Sequence, residues 1–149
     1  MKLLLDTNVY VEACRSDHAR ARFRAAFFPL LPVTYLAAVV AYELRVNALD
    51  RPTRRLVEEM THPMERTGRL IAPTVADWLD ASEVVTTIEQ KDASWRSKFP
   101  TLLNDVLIAL SARRIGATVI TYNAQDFRLI RRHRTFSLRV LAPSDRHAR

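Results

Sequence analysis

Four acids in this chain stand where an apolar segment has no need of one: Asp6 after "KLLL", Glu43 inside "VVAYELRV", Asp105 inside "LLNDVLIAL", and Asp126 in "TYNAQDF" after an apolar run. Singly, each has an ordinary use. Asp6 can cap a helix together with Thr7 and Asn8, Asp105 and Asp126 can face a helix N-terminus, and Glu43 can be an exposed polar position. Gathered on one rim they would repel one another, and some would take up protons unless a cation stood among them. An oxygen-only donor set suits Mg²⁺ or Mn²⁺ rather than zinc, which prefers nitrogen and sulfur.

Other chemistries find less support. His18, His62, His133 and His147 show no metal-ligand spacing. The single cysteine, Cys14, excludes an internal disulfide and a multi-thiolate metal site. With only Gly68 and Gly116, no glycine-rich loop can cradle a phosphate, and no motif supports a Ser–His–acid triad. A haloacid-dehalogenase-type phosphatase needs a second Asp two residues after the first, where this chain has Asn8. A receiver domain would need an acidic pair and a late lysine, and neither is present. A carboxylate-bound metal is the one coherent chemistry.

The elements that must position these acids alternate. "KLLL" reads as a short buried strand ending in "DTN", followed by helices over "VYVEACRS" and "HARARFRAAFF". Val33–Tyr35 is expected as a second strand and Ala37–Leu49 as a helix carrying Glu43. A more polar helix, "TRRLVEEMTHPM", is expected to end before Pro63, and "RLIAPT" to form a short third strand. "VADWLDASEVVTTIEQKD" is an amphipathic helix and "ASWRSKFPT" a loop. "LLNDVLIALSARRI", with Asp105 near its N-terminus, is the strongest helix and stops at Gly116. "ATVITY", "AQDFRLIRR" and "SLRVLAP" are read as strand, helix and final strand. Such alternation predicts an α/β fold with a parallel sheet covered on both faces. Sites in such sheets form outside the carboxyl ends of the strands, where Asp6 and Asp126 belong.

A chain of 149 residues, 48% hydrophobic and 26% charged, fits one ordinary globular domain. No segment is long and apolar enough to span a membrane, and "MKLLLD" is too short for a signal peptide, so a cytoplasmic protein is expected. The net charge is +7, from 23 Lys+Arg against 16 Asp+Glu. From Arg113 onward there are nine arginines and two acids, Asp126 and Asp145. That run reads equally as a surface for a phosphate backbone or as a solvated basic face.

Taken in order, "LLLDTN", "AYEL", "NDVLIALSARRIGATVITYNAQDF" and the closing "VLAP" resemble the PIN-domain ribonucleases, most closely the VapC-like toxins of type II VapBC toxin–antitoxin pairs. The resemblance spans essentially the whole chain, 1–149, and implies a single PIN domain: a three-layer α/β/α sandwich with a short central parallel sheet. It implies that Asp6, Glu43, Asp105 and Asp126 surround one or two Mg²⁺ or Mn²⁺ ions, with Asn8, Thr121 and Asn123 as supporting polar residues. Residues from Asp50 to Lys98 match least distinctively.

The activity implied is metal-dependent hydrolysis of RNA phosphodiester bonds by in-line attack. Asp6 and Asp105 would hold the principal metal, with Glu43 and Asp126 as ligands, orienting groups or hosts of a second ion. Arg113, Arg128, Arg131 and Arg132 are candidates to position the RNA backbone. Trp95 and Phe99 read as packing residues rather than base-stacking ones. A cognate antitoxin and a homodimer are the expected partners. Two alternatives stand beside the toxin: a PIN nuclease of RNA processing or decay, and a non-catalytic RNA-binding or interaction module of the same fold.

Overall fold

The computed structural model describes residues 1–143; Asp145, Arg146, His147 and Arg149 of the basic C-terminal segment lie outside the described residues. The three leucines of β1 (Leu3–Leu5) are all buried. A strand covered on both faces needs such a continuous apolar run. β1 is flanked by β2 (Thr34–Ala37) and β4 (Thr118–Thr121), both parallel to it, in registers that pair Leu4 with Tyr35 and Leu5 with Ile120. The two-residue β3 (Leu70–Ile71) and β5 (Ser137–Val140) complete an all-parallel sheet in the order β3-β2-β1-β4-β5. The chain leaves β1 toward β2 on one side and later returns to pair β4 on the other. The crevice between β1 and β4 is therefore the topological switch point, the place where such sheets hold ligands.

Among the described residues seven α-helices cover this sheet: α1 (Thr7–Ala13), α2 (Asp17–Phe27), α3 (Ala38–Asn47), α4 (Arg51–Arg66), α5 (Val75–Lys91), α6 (Phe99–Ile115) and α7 (Ala124–His133). The result is the expected α/β/α sandwich. α6 is its central helix, apolar almost all round, with Leu102, Val106, Leu107, Ile108, Ala109 and Ala112 buried. It ends at Gly116, whose φ of 69° is the left-handed conformation that glycine supplies cheaply. No helix among the described residues is long and apolar enough to cross a membrane.

Besides shifts of two or three residues at the ends of α1, β2 and α3, three differences from the sequence reading have a local reason. α6 begins at Phe99, so Pro100 lies in its first turn, where a missing N–H removes no bond. Asp105 consequently sits in the second turn, past the region where the helix dipole acts. α4 runs through Pro63 to Arg66, because Val57, Met60, Thr61 and Met64 form an unbroken buried face whose packing outweighs the break. The segment expected as a loop contains a 3₁₀ helix, Ala93–Lys98, which buries Trp95.

Candidate active site

Asp6 leaves the end of β1 with its backbone N–H bonded to the Ile120 carbonyl of β4 at 2.9 Å, which places its side chain at the switch point. Its carboxylate is 5% exposed and takes two neutral donors: the Thr7 N–H at 2.7 Å and the Thr121 hydroxyl at 2.7 Å. Thr121, fully buried at the end of β4, is also approached by the Asn8 amide at 3.2 Å and the Asn123 N–H at 2.9 Å. Asn8 accepts in turn from the Tyr122 N–H at 3.2 Å. The supporting polar residues read from the sequence thus form one network that ties α1 to the turn after β4.

Asp105 comes from α6 and is 7% exposed, and its Oδ2 is buried without a hydrogen-bond partner. Burial, and then the charges of Asp6, Asp126 and Glu43, push its pKa up to about 9. For Asp6 burial is again the first cause, opposed by the bonds from Thr121 and Thr7, and the result is a pKa of about 6. The four acids therefore sense one another as a group. Asp126 is steadied by Asn123, the N-cap of α7: the Asp126 N–H donates to Asn123 Oδ1 at 3.2 Å, and Asn123 Nδ2 donates to Asp126 Oδ2 at 3.0 Å. Its helix-capping use and its place at the rim coexist.

Glu43 projects from α3 and is held on both oxygens. The Thr7 hydroxyl donates to Oε2, and the Asn104 side chain donates to Oε1 at 2.8 Å. Sequence reasoning gave no role to Asn104 and only a capping role to Thr7. The available signal was a polar pair, Asn104–Asp105, interrupting an otherwise apolar helix.

The donor chemistry fits a hard divalent cation: oxygens only, two of the acids buried, and one buried oxygen left without a partner. Yet among the described residues no group of three or more His, Cys, Asp or Glu side chains stands arranged to hold a metal ion. Glu43 is held by Thr7 and Asn104, Asp126 by Asn123 and Asp6 by Thr7 and Thr121, while the buried oxygen without a partner is Asp105 Oδ2.

The four arginines expected to touch a substrate separate in the structure. Arg128, Arg131 and Arg132 share the exposed face of α7, which starts at the rim. Arg113 lies in the last turn of α6, about 12 Å along the helix axis from Asp105. The structure does not bring it to the acids.

A parallel α/β sheet with carboxylates converging at its switch point defines the class to which this site belongs. The model of the PIN domain matches residues 3–132, and the chain belongs to that family. PIN domains are generally nucleases, and they generally use divalent metal ions. No curated protein matches the sequence. Among solved structures, a chain of FitAB bound to the IR36 DNA fragment is similar at a TM-score of 0.64 with 19% identity, over 93% of this chain and 94% of that one. A chain of FitAcB from Neisseria gonorrhoeae matches at 0.60 with 21% identity, over 91% and 95%. A chain of VapBC2 from Rickettsia felis bound to a DNA fragment from their promoter matches at 0.61 with 20% identity, over 95% and 100%.

Proposed function

We propose that this protein is a metal-dependent endoribonuclease acting as the toxin of a toxin–antitoxin pair. The observation that carries the nuclease reading is the buried pair Asp6 and Asp105, with an unpartnered Asp105 oxygen, at the switch point of a PIN fold. Asp6 and Asp105 would hold Mg²⁺ or Mn²⁺, with Glu43 and Asp126 as further ligands or orienting groups. When bound, the cation supplies a more acidic water and offsets charge on the phosphate. Asp6 is kept in one rotamer by the Thr7 N–H and the Thr121 hydroxyl, and the Asn8 amide and the Asn123 N–H hold Thr121 in place. Arg128, Arg131 and Arg132 offer guanidinium groups to the RNA backbone without reading its bases.

The partner reading draws on the likeness to VapBC2 and FitAB together with a groove in this chain. That groove, about 280 Å³, runs between α1, α2 and the ends of β4 and β5, lined by Val9, Phe23, Phe27, Leu30, Tyr122 and Leu141. Its wall includes Tyr122, next in sequence to Thr121, and it suits an apolar segment of an antitoxin. Exposed apolar side chains on α3 (Tyr42, Val46) and α5 (Val75, Trp78, Leu79) favour association with a second copy.

The test is cleavage of a mixed cellular RNA pool by the native chain and by Asp105→Asn, with Mg²⁺ or Mn²⁺ and with chelator. Discrete cuts are expected from the native chain with metal only, and a loss of at least about 100-fold in the variant. Equal cutting by both proteins would assign the activity to another site or to a contaminant.

A further inference from the structure

We infer that Asn104, with Thr7 on the other side, is a positioning residue that fixes the Glu43 carboxylate for the cation; the inference rests on the nuclease reading above. Glu43 is held from two elements distant in sequence, Thr7 being 36 residues away on α1 and Asn104 61 residues away on α6. Each of its oxygens receives one of those donors. A glutamate at a half-buried rim otherwise samples several rotamers, more than the shorter aspartates beside it. Those aspartates have holders of their own: Thr7 and Thr121 for Asp6, Asn123 for Asp126.

Local folding does not call for asparagine at this position. Asn104 lies in the interior of α6, where Ala would favour the helix more, and it caps nothing. Among the described residues, the hydrogen-bond partner of its side chain is Glu43. Both donors to Glu43 are also neutral. An arginine or lysine in either place would cancel the charge that a cation needs, whereas an amide and a hydroxyl orient the carboxylate and leave it charged.

A double-mutant cycle tests this, reading Mn²⁺ affinity by calorimetry and RNA cleavage as a second signal. Asn104→Ala is expected to weaken Mn²⁺ binding by about tenfold, the usual scale for a residue that orients a ligand, while thermal unfolding stays near that of the native chain. In a Glu43→Ala background the same substitution is expected to change nothing further. Thr7→Val should behave like Asn104→Ala, and Thr7→Ser, which keeps the hydroxyl, should bind Mn²⁺ as the native chain does. An equal loss from Asn104→Ala in both backgrounds, or no loss in either, overturns the inference. If Asn104→Ala fails to fold, the Thr7→Ser and Thr7→Val pair decides alone, and equal affinity in the two overturns it. A native chain that binds no Mn²⁺ would sink the nuclease reading and this inference together, whereas native binding without coupling sinks the inference only.

Discussion

Burial sets the chemistry of Asp105 before any ligand does. Its carboxyl is desolvated inside the rim and faces three other acids, and its pKa of about 9 keeps it protonated near neutrality in the metal-free chain. In the unfolded chain an aspartate is ionised above pH 4 or so. The folded state therefore holds an extra proton between those limits, and stability is greatest below the lower one. It falls as pH rises, by up to about 1.4 kcal/mol per pH unit for each such proton. Asp6, with its pKa near 6, has lost its part by about neutrality, and His133, lowered by burial, titrates on the acid side. That leaves Asp105 dominant from roughly pH 7 to 9. In chelator, the unfolding temperature of the native chain is expected to drop across this window, and Asp105→Asn to flatten the drop and unfold higher at its upper end. Parallel curves for the two proteins would show that the shift does not exist. Cation uptake at pH 7 should also displace the proton, which calorimetry in buffers of differing ionisation enthalpy reads directly.

Pro63 shows what the elements demand of one another. It removes a backbone donor from the interior of α4, yet the helix persists because the Val57, Met60, Met64 face is needed against the core. Restoring the donor with Pro63→Ala should remove an interior penalty of about 3 kcal/mol and give back up to about 1 kcal/mol of chain entropy to the unfolded state. A net gain of about 2 kcal/mol is expected in the urea midpoint at unchanged slope, and a destabilised variant would mean that the packing of α4 is shaped around the proline. The same competition explains what was legible in the sequence. Strands β1 and β4 and the acids at their ends could be read, because buried parallel strands are continuous apolar runs and a rim acid interrupts them. Two helix boundaries could not, because Pro63 and Pro100 are tolerated for reasons of packing and position that one-dimensional periodicity does not carry. Thr7 and Asn104 were hidden for a different reason. Their meaning lies in Glu43, which is distant from both in sequence and adjacent only in the fold.

For the whole molecule the question is where a charge of +7 is available to a partner. Two arginines of the basic C-terminal run have acidic partners within the described residues. Arg114 pairs with Asp77 at 3.0 Å and also reaches the Ala72 carbonyl, and Arg134 pairs with Asp80 at 2.6 Å and with Glu83. Arg113 sits at the far end of α6 from Asp105, about two turns along the helix. Arg128, Arg131 and Arg132 differ: they lie three and four residues apart on α7, whose opposite side is anchored by buried Phe127 and Ile130. Arg132 is about 9 Å along the helix from Asp126, so a strand passing over the acids can follow this face. Such contacts work by counterion release, so each phosphate engaged contributes about 0.7 to the salt slope for single strands. Replacing all three with glutamine should lower the slope of log K against log salt for a single-stranded RNA by about 2, measured by anisotropy across a salt series. The same change should weaken different RNA sequences by similar factors, because backbone contacts carry no base information. An unchanged slope would move the RNA path off α7, and the exposed face of that helix would then be the solvated surface that its charge alone equally allows.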